Sequence, residues 1–365
     1  MKTYFQKHDG QLFSKKAARR LILILICILF AVFTVKINQV EKTELVSREG
    51  QTFEKATVVE VLQDNLQADG TRVGEQRVVV RMDSGEKKGE ELTVTSSSGY
   101  LFGAGCTPGM HVIVMQSVAG ESVIASVYSQ DREWVIYLFA ALYILLLCVI
   151  GGKQGIKGSA GLIFTFFCVI FVYLPLVYRG LSPFWAAVFV CAITTVVTMY
   201  LIGGPTKKTV VSILGTMLGV LCAGISAQLF SILSGITGYN VSDIETLMTL
   251  WNTNRIQVGG LLFSGLLISS MGAVMDVAMS VSSSMSEILK QNPEMTRKEL
   301  FMAGIHVGRD MMGTDSNTLI LAFAGSSVSM LLLDYAYNLP YQQIINSNNI
   351  GIAIMQGLSG SFGIV

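Results

Sequence analysis

The chain has 365 residues, of which 51% are hydrophobic and 14% charged, with a formal net charge of +1 and a mean hydropathy of +0.55. Soluble domains carry roughly 25% charged residues, so an ordinary soluble enzyme is excluded. The near-neutral balance also excludes a generally basic nucleic-acid-binding protein. Residues 38–132 hold 23 charged residues and residues 133–365 hold only 20, which predicts a polar domain followed by a long apolar region.

The N-terminus combines a basic tail with an apolar run. Residues 1–20 end in KKAARR, and LILILICILFAVFTV follows over Leu21–Val35. Such a run is typical of a signal peptide or of a short membrane helix, because ~20 residues span a bilayer. No small-x-small cleavage site follows it. This favours a cytoplasmic tail and an uncleaved signal-anchor helix over residues 21–37.

Residues 38–132 have the pattern of a small β domain. Short runs rich in Val, Ile and Thr, such as EQRVVVRM and MHVIVMQS, alternate with turn signals such as Asp69-Gly70. Five short strands predict an antiparallel barrel or a sandwich, with an OB-like barrel as one form. The segment holds 14 acids and 9 bases. This balance argues against a nucleic-acid partner and favours a folded spacer or assembly domain.

Seven long apolar segments follow Trp134. They are Trp134–Gly152, Ser159–Tyr178, Pro183–Ile202, Val210–Leu233, Ile256–Met279, Thr318–Tyr337 and Ile350–Val365. Each is close to the ~20 residues of a spanning helix, and backbone groups in hydrocarbon need the internal hydrogen bonds of a helix. With the anchor, the sequence predicts a polytopic α-helical membrane protein of about eight transmembrane helices, with the β-rich domain between helices 1 and 2.

The connecting loops predict the orientation. If the tail is cytoplasmic, the tail and the connections on its side hold fourteen Lys and Arg residues, and the opposite short connections hold only Arg179 and Arg255. Short cytoplasmic loops carry an excess of basic residues. The distribution therefore predicts a multi-pass protein with a cytoplasmic N-terminus and residues 38–132 outside the membrane.

Polar residues form stripes along predicted helices 6 and 7, which are the segments Ile256–Met279 and Thr318–Tyr337 when the anchor is counted as helix 1. Gly265, Ser269, Gly272, Asp276 and Ser280 recur at spacings of three or four, and so lie on one face of a helix. A charge such as that of Asp276 costs ~2.5–3.5 kcal/mol at the centre of a membrane helix and less near its end. The second stripe comprises Asp315, Thr318, Ala322, Gly325 and Ser329.

Two interpretations of these stripes stay open. One is a substrate or ion-coupling site near the cytoplasmic side, made of Asp276, Asp315, Arg309, Asp310, Asn317, Ser269, Ser280 and Thr318. In it Arg309 is a counter-ion, and Gly304, Gly308 and Gly313 allow the intervening helix to break, as in many transporter sites. The other is a set of helix-packing faces with a structural ion pair.

Glycines mark the predicted sites of close helix contact, because small residues let helix backbones approach. These are Gly215, Gly219, Gly265, Gly272 and Gly325.

Known catalytic and cofactor motifs are missing. The sequence has no GxxxxGKS phosphate loop, no HExxH and no GxSxG with triad partners. His306 and Asp310 are four residues apart but lack further metal ligands. We therefore expect no cofactor, no metal site and no enzymatic activity.

Two long motifs resemble the YibE/F family of bacterial multi-spanning membrane proteins. They are MGAVMDVAMSVSSSMSEI (Met271–Ile288) and HVGRDMMGTDSNTLILAFAGSS (His306–Ser327), and the turn over Ser84–Gly89 is also similar. The resemblance implies a protein of the bacterial cell membrane that assembles with a related membrane protein, as a hetero- or homo-oligomer. One departure is the last segment, which reaches Val365 after about sixteen apolar residues, short of a full span.

Two functional hypotheses follow. The first is a secondary transporter or permease for an unknown small solute or ion, with its polar site between helices 6 and 7. The second is a non-catalytic membrane scaffold or assembly partner.

Overall fold

The computed structural model describes residues 21, 24–40, 50–97, 103–119, 122–241, 244–254 and 256–365. The basic tail, Arg255 and parts of the β-rich region therefore lie outside the described residues. Two compact units are present, one within residues 44–146 and the other within the remainder of the chain.

The first unit is a closed five-stranded barrel. Its strands are β1 (Gln51–Gln63), β2 (Glu75–Met82), β3 (Glu91–Ser97), β4 (His111–Ala119) and β5 (Ser122–Gln130). The strand order is β1-β2-β3-β5-β4, with β3 and β5 parallel and the other neighbours antiparallel. This is the order of an OB-like barrel, so the barrel prediction is confirmed and the sandwich is not formed.

Alternation along the strands fills the barrel. In β2, Val78, Val80 and Met82 are buried and the residues between them are more exposed, because successive side chains of a strand point to opposite faces. Gln76 is buried too, and its amide bridges the chain: Nε2 donates to Asp64 Oδ1 at 2.7 Å, and Oε1 accepts from the Cys106 N–H at 2.7 Å. The one buried amide of β2 thus has partners on both sides.

The remaining chain is helical. Its helices are α1 (Ile24–Asn38), α2 (Glu133–Cys168), α3 (Leu174–Tyr178), α4 (Pro183–Gly203), α5 (Lys207–Ser234), α6 (Ile244–Asn254), α7 (Leu261–Gln291), α8 (Arg297–Ser326), α9 (Val328–Ala336), α10 (Tyr341–Ile345) and α11 (Asn348–Ile364). A π-helical turn, Val169–Tyr173, joins α2 to α3. Thr296 and Glu299 form a capping box at the start of α8.

Four stretches of the described chain are long and apolar enough to cross a membrane: Glu133–Tyr178, Pro183–Gly203, Lys207–Ser234 and Val258–Gln291. The bent pair α8–α9 makes a fifth if it forms one span. A 46-residue helix is about 69 Å long, more than twice the ~30 Å of hydrocarbon. Gly152, with φ 52° and ψ −131°, breaks this helix where the first predicted segment ends. The count of eight spans stays a prediction.

The chain that leads into predicted helix 7 forms a continuous helix rather than a broken one. α8 runs without interruption from Arg297 to Ser326, through all three glycines that were expected to break it. The break instead lies at Ser327, where α8 and α9 meet at 58°. The expectation of a breakable helix at Gly304, Gly308 and Gly313 was wrong, because one turn of hydrogen-bonded helix tolerates single glycines at a modest cost.

Helix α7 is the centre of the helical unit. It packs against α4, α5, α8 and α11. Gly219 of α5 lies so close to α11 that an added Cβ would stand 2.5 Å from the Gly363 carbonyl oxygen and 2.5 Å from Val274 Cγ1. Gly363 and Ser361 are both buried. Although α11 has only 17 residues, it is packed between neighbours along most of its length.

Arg179 closes the end of α1. Its guanidinium donates to the carbonyl oxygens of Lys36, Ile37 and Gln39 at 2.6, 3.1 and 3.0 Å. These are carbonyls that a helix C-terminus leaves without partners. One of the two basic residues on the side predicted to lie outside the membrane thus has a structural reason to be there.

Candidate polar site between α7 and α8

Helices α7 and α8 are antiparallel and joined by a short connection. Met285 of α7 lies against Gly304 of α8, and Ser270 and Leu319 both lie against Gly360 of α11. These contacts fix the register of the pair. At this register, position 315 of α8 is two residues, about 3 Å of rise, from the level of position 276 of α7.

Asp276 and Asp315, both members of the predicted coupling site, lie near each other, and the coupling site itself stays a prediction. The two carboxylates are close enough to interact electrostatically. Asp276 is exposed at the surface of this chain and Asp315 is half-buried. Oδ2 of Asp315 and Oγ of the adjacent Ser316 are buried and, within the described structure, have no hydrogen-bond partner. We call Asp276, Asp315 and Ser316 the polar site.

The predicted counter-ion does not reach the acids. No ion pair between described residues includes Arg309, which is exposed on α8 beside the exposed Asp310. Positions 309 and 315 are six residues apart, so their side chains leave the helix in directions about 120° apart. The two carboxylates therefore influence each other electrostatically, and no ion pair between described residues includes either of them.

The stripe predicted on α7 forms the exposed face of this helix in the described structure. From Leu261 to Ser286 the exposed residues of α7 are Gly265, Ser269, Gly272 and Asp276, while Ser280 is half-buried. Asn317 and Thr318 of α8 are also exposed. Ser269 Oγ donates to the Leu266 carbonyl at 3.0 Å, and Thr318 Oγ1 to the Thr314 carbonyl at 3.0 Å, so neither hydroxyl needs another acceptor.

The glycines divide into two groups. A Cβ added at Gly215 would meet Ala278 at 3.5 Å, and one at Gly219 would meet α7 and α11, so both glycines lie at helix contacts. A Cβ added at Gly265, Gly272 or Gly325 would meet nothing within 4 Å. The packing predicted for these three stays a prediction, and no described residue lies against them.

The sequence reasoning missed the packed face of α11. Gly357, Gly360 and Gly363 lie against other helices, and Gly351 lies against Ile236 in the connection after α5. Ser361 Oγ donates to the Ser316 carbonyl at 3.5 Å, which places α11 beside the polar site. The sequence contains a signal for this packed face. Small residues recur every three positions in GLSGSFG, residues 357–363, which is typical of a helix face that contacts other helices.

A second feature that was missed is a group of buried hydroxyls. On α4, Thr194, Thr195 and Thr198 are buried, and Thr194 Oγ1 donates to the Val190 carbonyl at 2.7 Å. The Oγ1 atoms of Thr195 and Thr198 are buried without a partner among the described residues. The sequence TTVVT carried this signal, but threonine is also a common β-branched core residue.

Apolar helices that expose large aliphatic side chains, such as Ile150 (78% exposed) and Leu233 (86%), define a membrane-embedded helical protein. The family model described as YibE/F-like protein matches residues 139–365, and the chain belongs to this family. Neither the curated proteins nor the solved structures contain a match to the chain.

Proposed function

We propose that this YibE/F-like protein is a secondary transporter of the bacterial cell membrane, with its coupling site at Asp276 and Asp315. It is multi-pass, with a cytoplasmic N-terminus and the barrel outside the membrane. Its solute is a small molecule or ion, and a related membrane protein is its partner in a hetero- or homo-oligomer.

The observation that carries this proposal is the pair of carboxylates. Two like charges side by side in a medium poorer in water than bulk solvent repel strongly. The buried Asp315 Oδ2 has no donor among the described residues, and an ionised oxygen without one is costly. A proton or a cation between the two acids removes both costs. A pair that gains and loses such an ion is what a coupled transporter needs.

The distribution of basic residues supports the orientation. Gln154 Nε2 donates to the Ile202 carbonyl at 3.0 Å, and Ser212 Oγ to the Ala278 carbonyl at 3.4 Å. The first contact joins α2, just after its break at Gly152, to the C-terminal end of α4, and the second joins the first turns of α5 to the middle of α7. The chain near these contacts carries Lys153, Lys157, Lys207 and Lys208, and α7 ends with Lys290. A cluster of lysines at one end favours the cytoplasmic side, and the polar site lies towards the same end.

The test uses everted membrane vesicles that contain the protein and a pH-sensitive dye. Panels of amino acids, sugars, organic anions and metal cations are added, and a solute that is coupled to protons changes the internal pH. We expect a response in the wild type, none in Asp276→Asn at equal expression, and a full response in the matched control Glu287→Gln. Glu287 is on the same helix and pairs with Lys290 at 3.0 Å. An unchanged response in Asp276→Asn would contradict the proposal.

One observation favours the alternative of a membrane scaffold. Gly265, Gly272 and Gly325 face open space, as expected of small-residue faces that receive helices of another protein. If the protein is a scaffold, crosslinking should recover a complex with its partner from the full chain and not from a variant without the barrel. Asp276→Ala should then mainly lower the amount of protein in the membrane.

A further inference from the structure

Four lysines lie around the C-terminal end of α4. Lys153 and Lys157 follow the break of α2 at Gly152, and Lys207 and Lys208 are the first two residues of α5. We call these four residues the lysine patch. Lys153, Lys157 and Lys207 are exposed, and Lys208 is half-buried.

Two contacts hold the two halves of the lysine patch beside the same helix end. Gln154 Nε2, between the two lysines of α2, donates to the Ile202 carbonyl in the last turn of α4 at 3.0 Å. On the other side, a Cβ added at Gly203 would stand 2.5 Å from Thr209 Oγ1, so the first turn of α5 lies against the last turn of α4. The lysines of α2 and α5 therefore flank the end of α4.

The described chain does not balance the charge of the lysine patch. Residues 134–242 contain no Asp or Glu, and none of the four lysines takes part in an ion pair between described residues. Four like charges at a surface without counter-charges create a positive potential that attracts anions. The ligand that complements this surface is therefore anionic.

An exposed apolar face begins directly at the lysine patch. On α5, spacings of four and three from Lys207 lead to aliphatic residues that are 57–63% exposed, namely Val211, Leu214, Leu218 and Leu221. The opposite face of α5, with Thr209, Ser212 and Thr216, is buried against other helices. On α2, Ile156 and Ile163 are also more than half exposed.

This combination distinguishes between two kinds of anion. A soluble anion would use the ammonium groups alone, whereas a phospholipid also needs an apolar surface along which its acyl chains can lie. Lysine side chains at the end of a membrane helix place their ammonium groups at the level of the lipid headgroups. The aliphatic face of α5 continues from that level for more than three helical turns.

We infer that the lysine patch binds the headgroup of an anionic phospholipid, with the acyl chains along the exposed faces of α2 and α5. Basic residues next to a membrane are attracted to anionic headgroups, and lysine binds phosphate as a compact point charge. A headgroup bound there holds the lysines of α2 and α5 together around the end of α4. The site includes neither Asp276 nor Asp315, so it does not depend on the proposed transport function.

The experiment is native mass spectrometry of the full chain, purified in detergent and mixed with equal amounts of phosphatidylglycerol and phosphatidylcholine that have the same acyl chains. The ratio of the two bound lipids is measured. We expect the wild type to bind phosphatidylglycerol in preference. Lys153→Gln and Lys207→Gln, one from each helix, should each lower the ratio by about fivefold. Equal binding of the two lipids by the wild type, or an unchanged ratio in both variants, would overturn the inference.

Two matched variants and a soluble competitor complete the test. Lys290→Gln removes the same charge from a lysine that pairs with Glu287 at 3.0 Å and should leave the ratio unchanged. Lys207→Arg keeps the charge and should keep the ratio. Glycerol phosphate in large excess should not displace phosphatidylglycerol, because it has no acyl chains. A ratio that falls equally in Lys290→Gln, or displacement of the lipid by glycerol phosphate, would contradict a lipid site at the lysine patch.

Discussion

Asp276 on α7 and Asp315 on α8 interact electrostatically across an antiparallel helix pair, and one carboxylate oxygen of Asp315 is buried with no hydrogen-bond partner in the described part of the chain. The energetic consequence is a coupling between the two positions. Replacing either acid by Asn removes one of two like charges and keeps its shape. We expect each single variant to raise the stability in detergent, by on the order of 1 kcal/mol.

The double variant Asp276→Asn/Asp315→Asn should gain no more than Asp315→Asn alone, since that substitution already removes both the repulsion and the buried ionised oxygen. Thermal unfolding of the four proteins measures this cycle. If the stability gains of the two single variants add up in the double variant, the two carboxylates have no interaction energy.

Gly219 and Gly265 make a matched pair for helix packing. At Gly219 an added methyl would stand 2.5 Å from the Gly363 carbonyl oxygen, whereas at Gly265 it would meet nothing within 4 Å. We expect Gly219→Ala to destabilise the protein by about 1–3 kcal/mol. Gly265→Ala should stabilise the isolated chain by up to about 1 kcal/mol, because alanine is the better helix former. Thermal unfolding in detergent gives both values, and the reverse order would refute the packing around α11.

Gln76 tests the interior of the barrel. Gln76→Ala leaves the buried Cys106 N–H without the acceptor it has now at 2.7 Å. The expected loss is about 2–3 kcal/mol, visible as a lower barrel transition in calorimetry of the full chain. Gln63→Ala, at an exposed residue ending β1, should change it by less than about 0.5 kcal/mol. Equal effects would mean that the buried amide does not stabilise the barrel.

Asp64 gives the barrel a pH dependence. The hydrogen bond from Gln76, followed by that from Arg72, lowers the pKa of the Asp64 carboxyl below its ordinary value of 3.8. A lowered pKa in the folded state stabilises the fold above pH 3.8, and this contribution is lost as the pH falls through the folded pKa. Asp64→Asn should therefore flatten the fall in the barrel transition as acid is added. An unchanged slope would rule out this carboxyl as its source.

Particular residues show how far the sequence could be interpreted. The five strands, the capping box at Thr296 and the meeting of Asp276 with Asp315 were predictable, because each depends on local periodicity or on helix register. The continuity of α8 was not, since three glycines weaken a helix by small amounts that packing outweighs. Arg309 was expected to pair with the acids. That expectation assumed a break in the helix between Arg309 and Asp315, and in the continuous helix α8 the two side chains point in different directions.

The most direct measurement of the central claim asks whether water reaches the polar site from the cytoplasm. In the cysteine-free chain, Gly272→Cys and Thr318→Cys are exposed to a charged, membrane-impermeant thiol reagent from each side. Leu218→Cys is the control, because Leu218 is exposed on α5 next to Gly219, which lies at the level of Val274. The account predicts fast modification of Gly272→Cys and Thr318→Cys from the cytoplasmic side and little of Leu218→Cys. Equally slow modification of all three would show that the stripes face lipid or packed helices, and would contradict a transport site there.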